Sequence, residues 1–287
     1  MSDKHIDEIS GVATTGHEWD GIKELNNPLP RWWVWTFYAT IAWAIGYTVV
    51  YPAWPLLTSA TGGLFGYSSR GDVSRDLAAA EAAKSDYVKE IAAKPIDQIL
   101  ADEKLRTFAT AAGAAAFKVN CVQCHGSGAQ GSTGFPNLND DDWLWGGKPD
   151  QIVQTISHGI RFDADPDTRL SEMPAFGEIL QPDQIADVAS FVASLSGMEA
   201  DATQAEAGKQ VFADNCAACH GSDGKGNREF GAPDLTDAIS LYVRSPDDIA
   251  RQIVTARNGV MPAWQGRLGE VRVKELAAYV HSLGGGE

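Results

Sequence analysis

Two short stretches, Cys121-Val122-Gln123-Cys124-His125 and Cys216-Ala217-Ala218-Cys219-His220, use all four cysteines of the chain. Cysteines at i and i+3 share one face of a helical turn. Thiols placed in this way can add to the two vinyl groups of one haem, and the next imidazole is held beneath the iron as its proximal ligand. A disulfide or a thioredoxin-like pair would not need the histidine, and no strand–helix–strand pattern surrounds either site. Zinc suits one four-cysteine site better than two separated Cys2His trios. The motifs therefore predict two covalently bound haems c, one on Cys121 and Cys124 with His125, the other on Cys216 and Cys219 with His220.

The surroundings of the motifs are also written twice. Gly113 and Phe117 stand eight and four residues before Cys121, and Gly208 and Phe212 do the same before Cys216. Pro136-Asn137-Leu138 is matched by Pro233-Asp234-Leu235, and Met173-Pro174-Ala175-Phe176 by Met261-Pro262-Ala263-Trp264. Eighteen residues beyond each methionine comes an aromatic, Phe191 or Tyr279, and twenty-two beyond comes Leu195 or Leu283. Such self-similarity marks a tandem duplication of one small domain. The apolar spacing of Asp183–Leu195 and of Val273–Leu283 predicts a final helix in each repeat. A glycine lets the first helix approach that final helix closely, with Phe117/Phe191 and Phe212/Tyr279 as the aromatic pairs at the two crossings.

An iron that moves electrons without binding substrate needs a second axial ligand. Of four methionines, Met173 and Met261 alone occupy equivalent repeat positions, and a thioether raises the reduction potential. They are the expected distal ligands. The repeat suggests that each serves the haem of its own domain, while the sequence leaves a crossed arrangement open. His158 precedes Gly159 as Asn258 precedes Gly259, which reads as a helix C-terminus favoured by the dipole. His281 corresponds to Ala193, and His5 and His17 lie in the leader, so none of the four is an expected ligand. The first repeat carries an insertion, Ile160–Glu172, with Arg161, Asp163, Asp165, Asp167 and Arg169. It could meet a partner, cover a haem propionate or be a neutral surface loop.

Residues 32–69 hold no Asp, Glu, Lys, Arg or His. Trp32–Tyr51 is twenty largely apolar residues, enough at ~1.5 Å each to cross a ~30 Å hydrocarbon core. Trp32, Trp33 and Trp35 crowd one end, and Tyr47, Tyr51 and Trp54 the other, as interfacial belts do. The long acidic leader is unlike a secretory signal, so the segment reads as an uncleaved anchor. Flanking charges are nearly balanced, but covalent haem attachment takes place outside the bacterial cytoplasmic membrane, which puts the later residues in the periplasm. The domain reading is a cytoplasmic leader over 1–31, a transmembrane anchor over 32–56 and a partly helical periplasmic spacer over 57–104. Cytochrome domain 1 follows over 105–197, a linker over 198–207 and cytochrome domain 2 over 208–287. The fold class is mainly α, with one N-terminal transmembrane helix followed by the two tandem class I cytochrome c domains. A net charge of −15 and a pI near 4.7 exclude a basic nucleic-acid footprint and suit docking of a basic protein.

The run Glu18-Trp19-Asp20-Gly21-Ile22-Lys23-Glu24-Leu25-Asn26-Asn27-Pro28-Leu29-Pro30-Arg31-Trp32-Trp33 resembles the entry into the anchor of one family. That family is the diheme, membrane-anchored subunit of cbb3-type cytochrome c oxidases, CcoP or FixP. Arg169-Leu170-Ser171-Glu172-Met173-Pro174-Ala175-Phe176-Gly177 is similar to its first haem domain, and the resemblance covers about residue 17 to the end. It implies relay of electrons from a donor cytochrome c to a monohaem subunit and then to the catalytic subunit, where oxygen is reduced and protons are pumped. It also implies His125 and His220 as proximal and Met173 and Met261 as distal ligands. The carbonyls of Pro136 and Pro233 would accept a hydrogen bond from each proximal imidazole. The isolated chain would not be an enzyme. Competing readings are a stand-alone anchored shuttle, a diheme peroxidase, which the symmetrical methionines oppose, and an assembly or sensor module. The Trp-rich leader favours a docked subunit, with Asp20–Trp35 packing on the catalytic one.

Overall fold

The computed structural model describes residues 5–285. They form two units that divide between Ala83 and Lys84.

The first unit opens with an antiparallel hairpin of β1 (Thr14–Trp19) and β2 (Ile22–Leu25). Its two-residue turn is Asp20-Gly21, both at positive φ (+48° and +84°). This is the Asp-Gly signature of a tight hairpin turn whose twist matches the strands. Pro30 then leads into α1 (Arg31–Val50), which has no buried residue. Its length and composition suit a membrane span, and a helix apolar all round has no water-facing side. The helix stops at Val50, two residues before Pro52 and within the expected anchor 32–56. Its last carbonyls are not left open, because the N–H groups of Leu64 and Phe65 donate to Val49 and Val50 at 3.1 Å each. Tyr51, stacked on Tyr47, meets Phe65 and Tyr67 edge-on.

α2 (Ser69–Ala93) is alanine-rich and charged, as expected of a self-supporting helix. Its end belongs to the core of the second unit, where Ile91 is fully buried together with Ile96 and Ile99 of α3 (Ile96–Ala101). Tyr87 stacks on Phe108 with centroids 4.6 Å apart. Residues 91–100 of the expected spacer therefore contribute core side chains.

The rest of the second unit is helical. In chain order it contains α4 (Glu103–Asn120), α5 (Val122–His125), α6 (Pro149–His158), α7 (Pro182–Leu195) and α8 (Ala202–Asn215). These are followed by α9 (Ala217–His220), α10 (Pro246–Val254), α11 (Gln265–Leu268) and α12 (Glu270–His281). The starts are legible locally. Asp102 caps α4 by accepting from Lys104 and Leu105, and Asp201 caps α8 through Thr203 and Gln204. Proline occupies the first turn of α6, α7 and α10.

Packing does not follow the order of the repeats. One core joins α3, α4 and α6 to α12, drawing on residues 91–156 and 261–283. The other joins α7, α8 and α10 and draws on residues 173–253. Each final helix has been exchanged. Phe117 meets Tyr279 at 5.3 Å and Phe191 meets Phe212 at 5.2 Å, the reverse of the within-repeat pairing. The glycine argument holds with the partners swapped. A Cβ on Gly113 would overlap the Glu275 carbonyl and Tyr279, and one on Gly208 the Asp187 carbonyl and Phe191. The packed lobes thus differ from the contiguous domains 105–197 and 208–287. The physical reason is that the two final helices carry the same apolar face, so local pattern cannot say which copy each partner receives.

Candidate haem sites and their crossed methionines

Each attachment motif is a single turn set at the end of a core helix. Cys121 N–H donates to Phe117 and His125 N–H to Cys121, both at 2.9 Å; Cys216 to Phe212 (2.8 Å) and His220 to Cys216 (2.9 Å) repeat the geometry. Gly126 and Gly221, at φ +81° and +78°, end these turns where a side chain would be strained. The chain then folds back, with Gly131 and Gly226 N–H donating to the His125 and His220 carbonyls at 2.8 Å each.

This return delivers the two prolines. His125 Nδ1 lies 3.1 Å from the Pro136 carbonyl and His220 Nδ1 lies 3.2 Å from that of Pro233. A carbonyl can only accept, so Nδ1 carries the proton and Nε2 keeps its lone pair. Burial lowers the pKa of both histidines, against the opposing effect of these bonds. Both imidazoles are therefore neutral donors suited to iron. Cys121 and Cys216 are pushed up to about 11, chiefly by burial and secondly by the neighbouring cysteine. A redox-active pair needs a lowered thiol instead, while Cys124 and Cys219 stand exposed at the rim.

A cavity of about 390 Å³ is lined by both motifs and by both methionines. Met261 packs on the core that holds Cys121 and Phe117, and Met173 on the core that holds Cys216 and Phe212. Each methionine thus sits with the motif of the other repeat. The exchange is fastened by main-chain and amide bonds. Ile160 and Met261 exchange two backbone bonds at 2.9 and 3.0 Å. The Asn258 side chain accepts from Met173 N–H at 3.1 Å and donates to its carbonyl at 3.2 Å.

Aromatics cross as well: the ring of Trp145 abuts Gly231 and that of Tyr242 abuts Gly134. Arg161 and Arg169 lie over Trp145, and Arg257 over Tyr242. Trp145, Tyr242 and Asn258 were not singled out from sequence as lining the site. Trp145 and Tyr242 fall at matching repeat positions, each four residues before a proline that opens a helix, which was an available signal. His158 closes α6 and is capped by Gly159 as expected. It bonds Asp165 of the insertion at 3.1 Å.

The apolar cavity, two neutral imidazoles and two thioethers fit haem. Tandem attachment motifs on helical lobes define the class, a c-type cytochrome built from two cytochrome domains. The chain matches the family described as the N-terminal domain of cytochrome oxidase-cbb3, FixP, over residues 11–58. It matches cytochrome c oxidase, cbb3-type, subunit III, over 108–192 and 203–280. It is 61% identical over 284 residues to the cbb3-type cytochrome c oxidase subunit FixP of Sinorhizobium medicae, covering 99% of this chain and 98% of the relative. It is 62% identical to FixPc of Rhizobium leguminosarum bv. viciae over the whole of both chains. Identity to the CcoP subunit of Cereibacter sphaeroides is 53%, over 96% and 95%. The chain belongs to the FixP/CcoP family of cbb3-type cytochrome c oxidase subunits.

Proposed function

We propose that this chain is the electron-entry subunit of a cbb3-type oxidase, holding two haems c. The first would be attached to Cys121 and Cys124 with His125 and Met261 as axial ligands. The second would be attached to Cys216 and Cys219 with His220 and Met173. Bound haem supplies a one-electron iron couple. The protein's part is to set that couple and keep it closed to substrates. Neutral imidazoles, oriented by the Pro136 and Pro233 carbonyls, present Nε2 on one side, and thioethers on the other favour the reduced state. With His125, Met261, His220 and Met173 as its ligands, bound haem iron would have no open position for oxygen, and the isolated chain would carry electrons rather than act as an enzyme.

Electrons would arrive from a donor cytochrome c and leave for the monohaem and catalytic subunits. The acidic surface supports steering of a basic donor. α1 would span the bacterial inner membrane, with the hairpin cytoplasmic and docked on the catalytic subunit, and the haem lobes periplasmic. The observation that carries this reading is the pair of equivalent sites, each with a proline-bonded histidine and a methionine facing one cavity. The test is purification in mild detergent with assays for haem b, haem c, copper and oxygen uptake. Co-purified haem b and copper, with uptake driven by reduced cytochrome c, are expected. Two haems c alone, with no uptake, would make the chain a stand-alone shuttle.

A further inference from the structure

In the insertion of the first repeat, Arg161 touches both methionine-bearing segments at equivalent positions. Arg161 Nε donates to the Gly259 carbonyl at 2.7 Å, and Nη1 to the Ser171 carbonyl at 2.6 Å. Gly259 lies two residues before Met261, and Ser171 two residues before Met173. The backbone beside it, at Ile160, is already paired with Met261. The guanidinium is half-buried, lines the cavity shared by the two sites, and rests 5.7 Å from the centroid of Trp145. Arg161 also adopts a left-handed backbone (φ +51°). For a long side chain this conformation is strained and persists only where the surroundings hold it.

From this we propose that Arg161 is a positioning residue that clamps both methionine segments, so that the distal sides of the two haem sites are held as one unit. The inference rests on the axial pairs proposed above. Its chemistry is that of a fork: several fixed N–H groups on one delocalised cation satisfy two carbonyls in different directions, and charge-assisted bonds are short and strong. A lysine ammonium keeps the charge on a flexible stem and lacks the fixed spread needed for both acceptors. The second repeat has no insertion and so no second clamp, which leaves one residue to serve two sites.

The test uses the full-length, haem-loaded chain in detergent with Arg161→Lys, Arg161→Ala and, as a control, Arg169→Lys. Arg169 shares the Trp145 ring but bonds Trp145 O and Thr155 Oγ1 instead. The readouts are the ferric thioether-to-iron charge-transfer band and the midpoint potential of each haem. Arg161→Lys and Arg161→Ala are expected to weaken the band at both haems together and to lower both potentials, while Arg169→Lys changes neither. Should Arg161→Ala fail to fold, Arg161→Lys carries the test. Bands intact in Arg161→Lys, with potentials shifted only in Arg161→Ala, would show a charge effect and overturn the clamp. A change confined to one haem would overturn it too. Absence of the band from the unmutated protein would overturn the thioether reading along with the clamp.

Discussion

The two haem lobes are copies in sequence and unequal in construction. The second is drawn from one continuous stretch, residues 173–253, whereas the first is assembled from residues 91–156 and 261–283. The first lobe also receives the end of α2, and Lys274 makes the join. Its ammonium, on a residue 8% exposed, donates to the carbonyls of Ile91 and Ala92 at 3.3 Å and of Lys94 at 3.0 Å, and it pairs with Glu270 at 2.7 Å. These are carbonyls that a helix end leaves open. At the matching repeat position the second lobe has Ala186, and where α12 has the buried Glu275 paired with half-buried Arg272, α7 has Asp187 and Gln184. Duplicated domains can thus keep the same helix crossing while one copy takes on a mechanical task. The cost is a discontinuous lobe, closed by a helix from the far repeat.

The largest effects should come from the methionines. Met261→Leu keeps volume and removes the thioether. It should lower the potential of the haem on Cys121 and Cys124 by on the order of 0.1 V or more, leaving the other haem in place. Met173→Leu should do the converse. Redox titration, with each haem assigned from the His125 and His220 resonances, reads the pattern, and the uncrossed pattern would break the comparison outright.

Next come the helix crossings. Gly113→Ala and Gly208→Ala each drive a methyl into a carbonyl of the exchanged helix and should cost about 2–3 kcal/mol, read by denaturant unfolding followed separately at each haem. Lys274→Ala should cost about 1–3 kcal/mol by orphaning the α2 carbonyls, with hydrogen exchange quickening over residues 84–101 and unchanged in α7. A lysine introduced by Ala186→Lys should bring no matching gain. A double-mutant cycle on Phe117 and Tyr279 should show coupling of about 1 kcal/mol, and one on Phe117 and Phe191 almost none.

The smallest effect concerns Asp142, which lines the shared cavity. Its carboxyl is raised to about 6, first by burial, then by Asp237, Asp140 and Asp234, with Arg228 opposing. A carboxyl raised on folding holds its proton in the native state while the unfolded chain releases it. Stability is therefore lost as pH climbs from about 4 through about 6. Asp142→Asn should stabilise the protein by about 1 kcal/mol at pH 7.5 and leave it unchanged near pH 4. Equal stabilisation at both values would remove the burial argument.

Much of this molecule was legible in its residues. Spacing alone marked the two Cys-x-x-Cys-His turns, because the thiol addition and axial ligation proposed for them demand a fixed order within one helical turn. Matching positions marked Met173 and Met261, which both line the cavity, and Gly113 and Gly208 marked the helix crossings, though with the aromatic partners exchanged. The uncharged run marked α1, although its end at Val50 depends on Leu64 and Phe65 folding back over the last carbonyls. The Asp20-Gly21 turn is equally local, two residues at positive φ between paired strands.

What no local pattern could carry was partnership. Gly113 accepts a close helix from either repeat, since Glu275 and Asp187 present the same backbone and Tyr279 and Phe191 the same bulk. The choice was made by long-range contacts: Ile160 paired with Met261, Asn258 bonded to Met173, and Arg161 held both segments. The links from Ile160 to Met261, from Asn258 to Met173 and from Arg161 to Gly259 join residues some 85 to 101 positions apart, where composition and periodicity have no reach. The chemistry of each site was thus written in short motifs, because covalent and ligand geometry is local. Which methionine faces which motif was decided only when equivalent surfaces competed in three dimensions.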